Sequence, residues 1–314
     1  MIRALIVLCF AALMPAQASA QTEVILGADN PGGSYYLYGG GLSNWINQRS
    51  KTLRVTSQTT RGSVENVRLL SSGRLAFGLA NAVAVYQQRK GIGQFQDHPA
   101  ENIRGIAVLD VAPLHIVAYP SSGIKNLQDL AGKRVSIGAP GSGSATAAGI
   151  LFPALGIAGK VKTQNLGFSE SAANMRDGNL DAFMAASALP MPAVVDLTSS
   201  HAVTLVPMTP DVISAVRKDN PPYQPVIIPA NTYSGITQDV PAVGLASLLV
   251  VRADIPEDTV YELVSQMFTS DALAYMRNVY RAWDPNPGQE LFRDIDVPLH
   301  PGALRFYREK GMIK

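Results

Sequence analysis

The 314-residue chain has few of the residues that usually mark a catalytic or metal site. It contains one cysteine, Cys9, and four histidines in unlike contexts: His98, His115, His201 and His300. No cluster of these side chains has the spacing of a metal site, and a single cysteine forms no intrachain disulfide. The sequence therefore predicts neither a metal nor another cofactor, and its stability has to come from a hydrophobic core.

The chain also lacks an excess of charge of either sign. Its 26 basic and 24 acidic residues are scattered, with no basic tract and no acidic tail. This balance argues against nucleic-acid binding and against a role on a membrane surface. Beyond the N-terminus there is no apolar run long enough to span a bilayer.

What the N-terminus does have is an export signal. A short basic start at Met1–Arg3 precedes an apolar run, Ala4–Met14, and a cleavage pattern of small residues, Ala18-Ser19-Ala20. This order is typical of a secretory signal peptide. We expect residues 1–20 to be removed after Ala20, leaving an exported chain that begins at Gln21 and contains no thiol.

Short apolar strands alternate with helical segments through the remaining chain, which predicts an α/β fold. About 290 residues exceed what one core usually serves, so we expect two domains. Strands are predicted at Glu23–Ala28, Leu53–Gln58, Leu75–Ala80, Arg104–Leu109, His115–Tyr119, Arg134–Gly138, Lys162–Leu166, Asp181–Ala185 and Ala242–Val251. Helices are predicted at Tyr35–Gln48, Ser63–Ser71, Ala82–Lys90, Ser144–Leu155, Glu170–Arg176, Met191–Leu197, Glu257–Ser270 and Asp271–Val279.

Four junctions share one pattern, in which a strand is followed by small polar residues, often with glycine, and then by a helix. We predict that Ser34, Ser63, Asn81 and Ser144 are the N-cap residues of those helices. Helix N-termini at the carboxyl ends of strands bind anions through unpaired N–H groups. The glycines of these segments, including Gly39–Gly41, would let a ligand approach the backbone closely. Together the junctions predict an anion pocket, although each polar residue alone is explained by capping.

Nucleotide and enzyme sites are poorly supported. A phosphate-binding loop requires a lysine after its last glycine, but Ser144 follows Gly143 in GAPGSGSAT. No Gly-x-Ser-x-Gly elbow accompanies the serines, and Asp181 is best explained as a capping aspartate. Tyr35, Tyr36 and Tyr233 could each line a pocket with an apolar ring and a hydroxyl, and Tyr36 and Tyr233 are favoured over Tyr35.

Five ordered segments resemble one family. They are GGSYYLYGGGLSNWIN, TTRGSVENVRLL, IKNLQDLAGKRVSIGAPGSGSATAA, DGNLDAFMAA and PLHPGALRFYREKG, and they span about Val24 to Gly311. This order is similar to that of the TAXI-type extracytoplasmic solute receptors of TRAP transporters. Two positions depart from the family pattern: Ala76 stands where aspartate is common, and Val108–Pro113 lacks a Tyr-Pro-Glu.

The resemblance implies a two-lobed periplasmic binding protein fold (type II-like), with two mixed sheets joined by hinge strands. Lobe one would comprise residues 21–118 and 236–314, and lobe two residues 119–235. The strands His115–Tyr119 and Pro241–Val251 would cross between them. It also implies a non-enzymatic, monomeric periplasmic receptor that delivers a small carboxylate, an amino acid or oxoacid, to a permease driven by an ion gradient.

The family's cleft would map onto residues from both lobes. They are Gly33, Ser34, Tyr36, Thr60, Gly62, Ser63, Asn66, Asn81, Ser142, Gly143, Ser144, Phe183 and Tyr233. Two alternatives remain open, namely a sensor of the same fold that reports to a membrane kinase, and an exported hydrolase.

Overall fold

The computed structural model describes residues 21–313, so the predicted leader and Cys9 lie outside the described residues. Ten strands are present there: β1 Thr22–Gly27, β2 Leu53–Gln58, β3 Phe77–Asn81, β4 Ile103–Ala118, β5 Arg134–Ser136, β6 Lys162–Gln164, β7 Ala182–Ala186, β8 Thr204–Leu205, β9 Tyr223–Ile228 and β10 Val240–Arg252. The α-helices are α1 Ser34–Arg49, α2 Ser63–Ser71, α3 Ala82–Lys90, α4 Gly143–Ala154, α5 Phe168–Arg176, α6 Pro192–Thr198, α7 Pro210–Asp219, α8 Glu257–Met267, α9 Ser270–Val279, α10 Gln289–Asp294 and α11 Pro301–Glu309. None of the helices between residues 21 and 313 has the length and apolar character needed to cross a membrane.

The sheet runs in the order β2-β1-β3-β10-β4-β7-β5-β6, with β8 and β9 paired at its side. Strands β1 to β3 pair in parallel, as do β5 to β7, whereas β10 is antiparallel to both β3 and β4. Two parallel halves, each covered by helices, are thus joined through the long strands β4 and β10. This arrangement confirms the predicted mixed α/β fold with connecting strands.

Strand β4 is one continuous element of 16 residues, where two separate strands were predicted. It pairs with β10 up to Pro113 and with β7 from Leu114 onward. The register shifts opposite Ser247 and Leu248, where Leu109 is the extra residue of a β-bulge. Residues 110–114, which lie between the two predicted strands, are part of this continuous strand.

The side chains form a core in each half of the molecule. The first core contains Leu26, Trp283 and Tyr307 and is assembled from both ends of the chain. Two further clusters, around Leu151 and around Phe183, are built from the middle of the chain, residues 83–245 and 117–240 respectively. We refer to the part packed on the first core as lobe one and to the part packed on the other two as lobe two.

The predicted boundaries between the lobes lie close to these divisions. Leu114, Ile116 and Ala118 were assigned to lobe one, yet their side chains pack in a core of lobe two. Val240 and Leu245 do the same on the returning strand. The change from one core to the other thus lies between Leu109 and Leu114 on β4, and the lobe boundaries drawn from the sequence stay a prediction.

The glycines at the start of α1 allow packing within lobe one. A Cβ at Gly39 would lie 2.7 Å from the Cβ of Ala28, and one at Gly41 would lie 3.0 Å from Val279. Because a Cβ at either position would collide, glycine brings α1 close to the end of β1 and to α9. Helical glycine costs about 1 kcal/mol relative to alanine, and here that cost permits core contacts rather than ligand approach.

Candidate functional site

Five helices from the two lobes begin around one small cavity. Helices α1, α2 and α3 follow strands of lobe one, and α4 and α5 follow strands of lobe two. The cavity has a volume of about 10 Å³ and is lined by Asp29, Tyr35, Ser63, Asn81, Ala112, Gly143, Ser144, Phe168, Ala186 and Leu245. That volume holds one water molecule at most. Larger depressions occur on the outer surface, but they are shallow and lie away from the strand ends.

Of the four predicted N-caps, only Asn81 is confirmed. Its Oδ1 accepts a hydrogen bond from Ala84 N at 2.8 Å. The predictions for Ser34, Ser63 and Ser144 are wrong, because an earlier residue already has the non-helical backbone of a cap. Those caps are Gly33, Gly62 and Ser142, of which Ser142 accepts from Ala145 N at 3.1 Å.

The three displaced serines form contacts beyond their own helix ends. Ser63 Oγ accepts from both the backbone N and the Nδ2 of Asn81, each at 3.1 Å. Ser144 Oγ accepts from Ala186 N at 2.9 Å, which ties α4 to the end of β7. Ser34 Oγ accepts from Ala188 N at 3.3 Å, which ties the start of α1 to the segment after β7. These hydroxyls therefore join elements around the cavity.

Direct hydrogen bonds hold the two lobes together around the cavity. Val64 N and Glu65 N, at the start of α2, donate to Gly141 O at 3.1 and 3.2 Å. Phe168 N, the first amide of α5, donates to Asn30 Oδ1 at 2.9 Å. Each of these helix ends takes its acceptor from the opposite lobe. The structure is thus a closed form in which protein atoms fill most of the cleft.

Helix α4 differs from α2 and α5 at its start. Within residues 21–313, neither Gly143 N nor Ser144 N has a protein acceptor. Gly143 also lies against the opposite lobe, since a Cβ at this position would be 2.1 Å from Asn81 Nδ2. Two donors therefore remain where the start of α4 lies against the opposite lobe.

Asp29, which sequence analysis missed, is the charged residue of the cavity. Its side chain follows β1 and the residue is 7% exposed. One oxygen, Oδ1, accepts from Asn30 N at 2.7 Å and from Asn30 Nδ2 at 2.6 Å. Burial raises the pKa of this carboxyl to about 7, an effect that outweighs the two hydrogen bonds from Asn30, and the charge of Glu65 adds to it. An acidic residue directly after the first buried strand was the available signal.

The structure places Tyr35 at the cavity, whereas the sequence favoured Tyr36 and Tyr233. Tyr36 is 43% exposed on the outer side of α1. The Tyr233 hydroxyl accepts from Met191 N at 2.8 Å and lies 2.7 Å from His115 Nε2, inside a core of lobe two. Consecutive residues at the start of a helix point in directions about 100° apart, so only one of the first two tyrosines reaches the cleft.

Other predicted residues support the cavity from behind. Asn66 Nδ2 donates to Ala28 O at 2.6 Å and to Leu79 O at 2.7 Å, which ties α2 to β1 and β3. Thr60 Oγ1 donates to Ala28 O at 3.1 Å, and Phe183 is fully buried in a core of lobe two. These three side chains do not line the cavity.

The remaining predicted residues lie beside the cavity. Gly33 packs against the ring of Phe168, since a Cβ on it would be 2.8 Å from that ring. Gly62 has a φ of +102°, a left-handed value that suits glycine, and faces the Asp29 carboxylate. Ser63, Asn81, Gly143 and Ser144 are thus the predicted residues that the structure brings together at the cavity. Their role in ligand binding stays a prediction.

Between residues 21 and 313, no three histidine, cysteine, aspartate or glutamate side chains are grouped so as to hold a metal ion. The polar groups at the cavity are hydroxyls, an amide, one carboxylate and helix N–H groups. This set can hydrogen-bond a small polar molecule from both lobes at once.

Solved structures with a similar fold are periplasmic binding proteins. The chain resembles PhnD1 from Prochlorococcus marinus in complex with methylphosphonate, with a TM-score of 0.54, 13% identity and coverage of 93% and 99% of the two chains. It also resembles the substrate-binding protein of an amino acid ABC transporter, with a TM-score of 0.52, 12% identity and coverage of 83% and 100%. A third is the alkanesulfonate-binding protein SsuA from Xanthomonas axonopodis pv. citri bound to MOPS, with a TM-score of 0.50, 14% identity and coverage of 94% and 96%. At these identities the likeness describes the fold.

The sequence itself matches one family along almost its whole length. The model of the NMT1-like family covers residues 26–311, which includes both lobes and all the residues that line the cavity. The chain belongs to the NMT1-like family and has the periplasmic binding protein fold.

Proposed function

We propose that this protein is an exported receptor that binds a small organic acid or amino acid between its lobes and delivers it to a membrane transporter. The observation that carries the proposal is the convergence of five helix N-termini from both lobes on one cavity. Such ends attract carboxylates through N–H groups and the helix dipole. The unpaired N–H groups of Gly143 and Ser144 are the proposed carboxylate donors, with Ser63 and Asn81 opposite them.

Binding requires the lobes to separate. A cavity of about 10 Å³ cannot admit an amino acid, so the solute has to enter an open form. We propose that β4 and β10 bend near the bulge at Leu109, where they pass from one core to the other. The solute then shifts the population toward the closed form by its higher affinity for that form.

The cavity supports binding better than catalysis. Its lining includes no histidine and no cysteine, and its one carboxylate has no base or nucleophile paired with it among the described residues. Acyl or glycosyl transfer would need such a pair. A receptor is therefore favoured over the exported hydrolase.

The proposed transporter partner rests on the sequence motifs and on the similarity to solved structures. The ordered motifs in the sequence favour a TRAP-type permease driven by an ion gradient. A second candidate is an ATP-driven ABC transporter, because one similar structure is the receptor of an amino acid ABC transporter. Uptake by cells that express the receptor with each candidate permease separates the two. Collapse of the ion gradient at constant ATP should stop uptake through a TRAP-type permease. ATP depletion at a constant ion gradient should stop uptake through an ABC transporter. A sensor that reports to a kinase would support no uptake.

A thermal-shift screen tests the receptor itself. Residues 21–314 would be purified under denaturing conditions and refolded, then mixed with carboxylates, amino acids, oxoacids and neutral sugars. A ligand at a hundred times its Kd adds about 2.7 kcal/mol, or roughly 5–10 °C in Tm for a chain of this size. Gly143→Ala is the matched variant and should reduce the shift, because a Cβ there would lie 2.1 Å from Asn81 Nδ2 and obstruct closure over the ligand. No shift with any acid would overturn the proposal.

A further inference from the structure

We infer that the solute carries a positively charged amino group that pairs with Asp29, so the protein prefers amino acids to the matching oxoacids. This inference rests on the proposed function and names the substrate class of the same cavity.

The geometry begins with the unequal surroundings of the two Asp29 oxygens. Oδ1 accepts both hydrogen bonds from Asn30. Within residues 21–313, no protein group donates a hydrogen bond to Oδ2, and the residue is 7% exposed and lines the cavity. Buried carboxylates are ordinarily paired or fully hydrogen-bonded. The free oxygen therefore calls for a donor that the protein itself does not supply.

The negative charge around Asp29 favours a cation as the hydrogen-bond donor to its Oδ2 atom. The residues that line the cavity include no lysine, arginine or histidine. Glu65 lies near enough to raise the pKa of Asp29 further, and Tyr35 is the other titratable group that interacts with it. Closing the lobes over an anionic solute would bury like charges together, whereas an ammonium group would neutralise Asp29.

The opposite side of the cavity supplies the complementary site. Gly143 N and Ser144 N, at the start of α4 in lobe two, have no acceptor within the described residues. A carboxylate at this helix end and an ammonium at Asp29 would bridge the two lobes. A zwitterionic amino acid has both groups, and an oxoacid has only the first. The amino group is thus the feature that the cavity can discriminate.

The competing possibility is a protonated Asp29 that donates a hydrogen bond to an acidic solute. The pKa of about 7 places Asp29 between its two forms near neutral pH. Pairing with an ammonium requires the ionised form, so affinity for an amino acid should rise between pH 6 and pH 8. Donation to a carboxylate requires the neutral form, so affinity should fall over the same range. The pH profile of the unmodified protein separates the two without any substitution.

Isothermal titration of the refolded protein with matched pairs provides the test. The pairs are L-glutamate and 2-oxoglutarate, L-alanine and pyruvate, and L-leucine and 4-methyl-2-oxopentanoate. In the pair that binds, we expect the amino acid to bind at least tenfold more tightly. Asp29→Asn should remove this preference, while Glu65→Gln removes a nearby charge that does not line the cavity and should preserve it.

The possible outcomes test the amino-acid preference and the receptor function separately. Equal or tighter binding of the oxoacid, a preference that survives in Asp29→Asn, or affinity that falls from pH 6 to pH 8 would overturn the inference and leave the receptor function intact. If the thermal-shift screen finds no acid that binds, the proposed function fails, and the inference fails with it.

Discussion

Two aspartates near the cleft show how differently this fold treats a carboxylate. Asp110, on β4, is half-buried and has a donor on each oxygen: Tyr38 donates to Oδ2 at 2.7 Å and Ser247 to Oδ1 at 2.8 Å. Asp29 is more deeply buried and only one of its oxygens is bonded, by the neighbouring Asn30. Burial raises the pKa of both, to about 6 and about 7. The satisfied carboxylate ties α1 and β10 to β4, and the unsatisfied one lines the cavity between the lobes.

The largest expected effect concerns the pH dependence of Asp29. Because its folded pKa lies above its unfolded value of 3.8, the protein binds this proton more tightly when folded. The stabilisation is complete below pH 3.8 and is lost as the pH rises toward 7. Asp29→Asn should remove this loss, so that the variant gains on the order of 2–4 kcal/mol over wild type between pH 4 and pH 8. Urea unfolding of both proteins across this range, without ligand, measures the difference, and parallel curves would contradict it.

Removing the satisfied carboxylate should have the opposite effect on stability. Asp110→Ala leaves the hydroxyls of Tyr38 and Ser247 without their acceptor, which should lower the free energy of unfolding by about 2–3 kcal/mol at pH 7. Urea denaturation monitored by circular dichroism measures this loss. Under the same conditions, Asp29→Asn should not lower the free energy of unfolding. Equal losses of unfolding free energy in the two variants would contradict the difference between the two aspartates.

The cleft can also be blocked sterically without touching either aspartate. Gly143→Ala puts a Cβ where Asn81 Nδ2 would lie 2.1 Å away, so the lobes should no longer close fully. We expect at least a tenfold loss of ligand affinity, about 1.4 kcal/mol, with lobe two still folded. Gly149→Ala in the same helix meets nothing within 4 Å. It should keep full affinity and stabilise the helix by about 0.5–1 kcal/mol. Calorimetry of both variants checks the pair, and equal affinities would contradict closure at this point.

The smallest expected effect separates a structural tyrosine from one in the cavity. Tyr233→Phe removes a hydroxyl that contacts His115 and Met191 N, which should lower stability by about 1 kcal/mol and leave affinity unchanged. Tyr35→Phe alters the cavity lining, so it should lower ligand affinity and leave stability unchanged. Thermal unfolding and titration of both variants measure the two effects. If Tyr233→Phe weakens binding selectively, Tyr233 belongs to the site after all.

The strand–helix junctions could be read from the sequence because each is a local pattern. The alternation of strand and helix placed Ser63, Asn81, Gly143 and Ser144 at the carboxyl ends of strands, and in the fold those ends meet. The cap positions were less certain, since glycine or serine one or two residues earlier could serve equally well, as Gly62 does for Ser63.

The site features that the sequence did not predict are set by tertiary packing. The choice of Tyr35 over Tyr36 is set by how α1 is rotated on the core of lobe one, which no local pattern records. Asp29 was missed because its importance comes from the lack of a partner, a property of the packed structure. Helix α7 was also missed, although Thr209 followed by Pro210 is a helix start signal, and Thr209 does cap it.

The most direct test of binding between the lobes is the distance between them in solution. Arg54 on β2 and Lys162 on β6 are exposed and lie on the outermost strands of the two halves. Residues 21–314 contain no cysteine, so Arg54→Cys with Lys162→Cys takes two spin labels cleanly. Double electron–electron resonance would be recorded before and after addition of the compound with the largest thermal shift. We predict a broad distance distribution that becomes shorter and narrower with ligand. A ligand that binds without changing this distribution would show that it does not bind between the lobes.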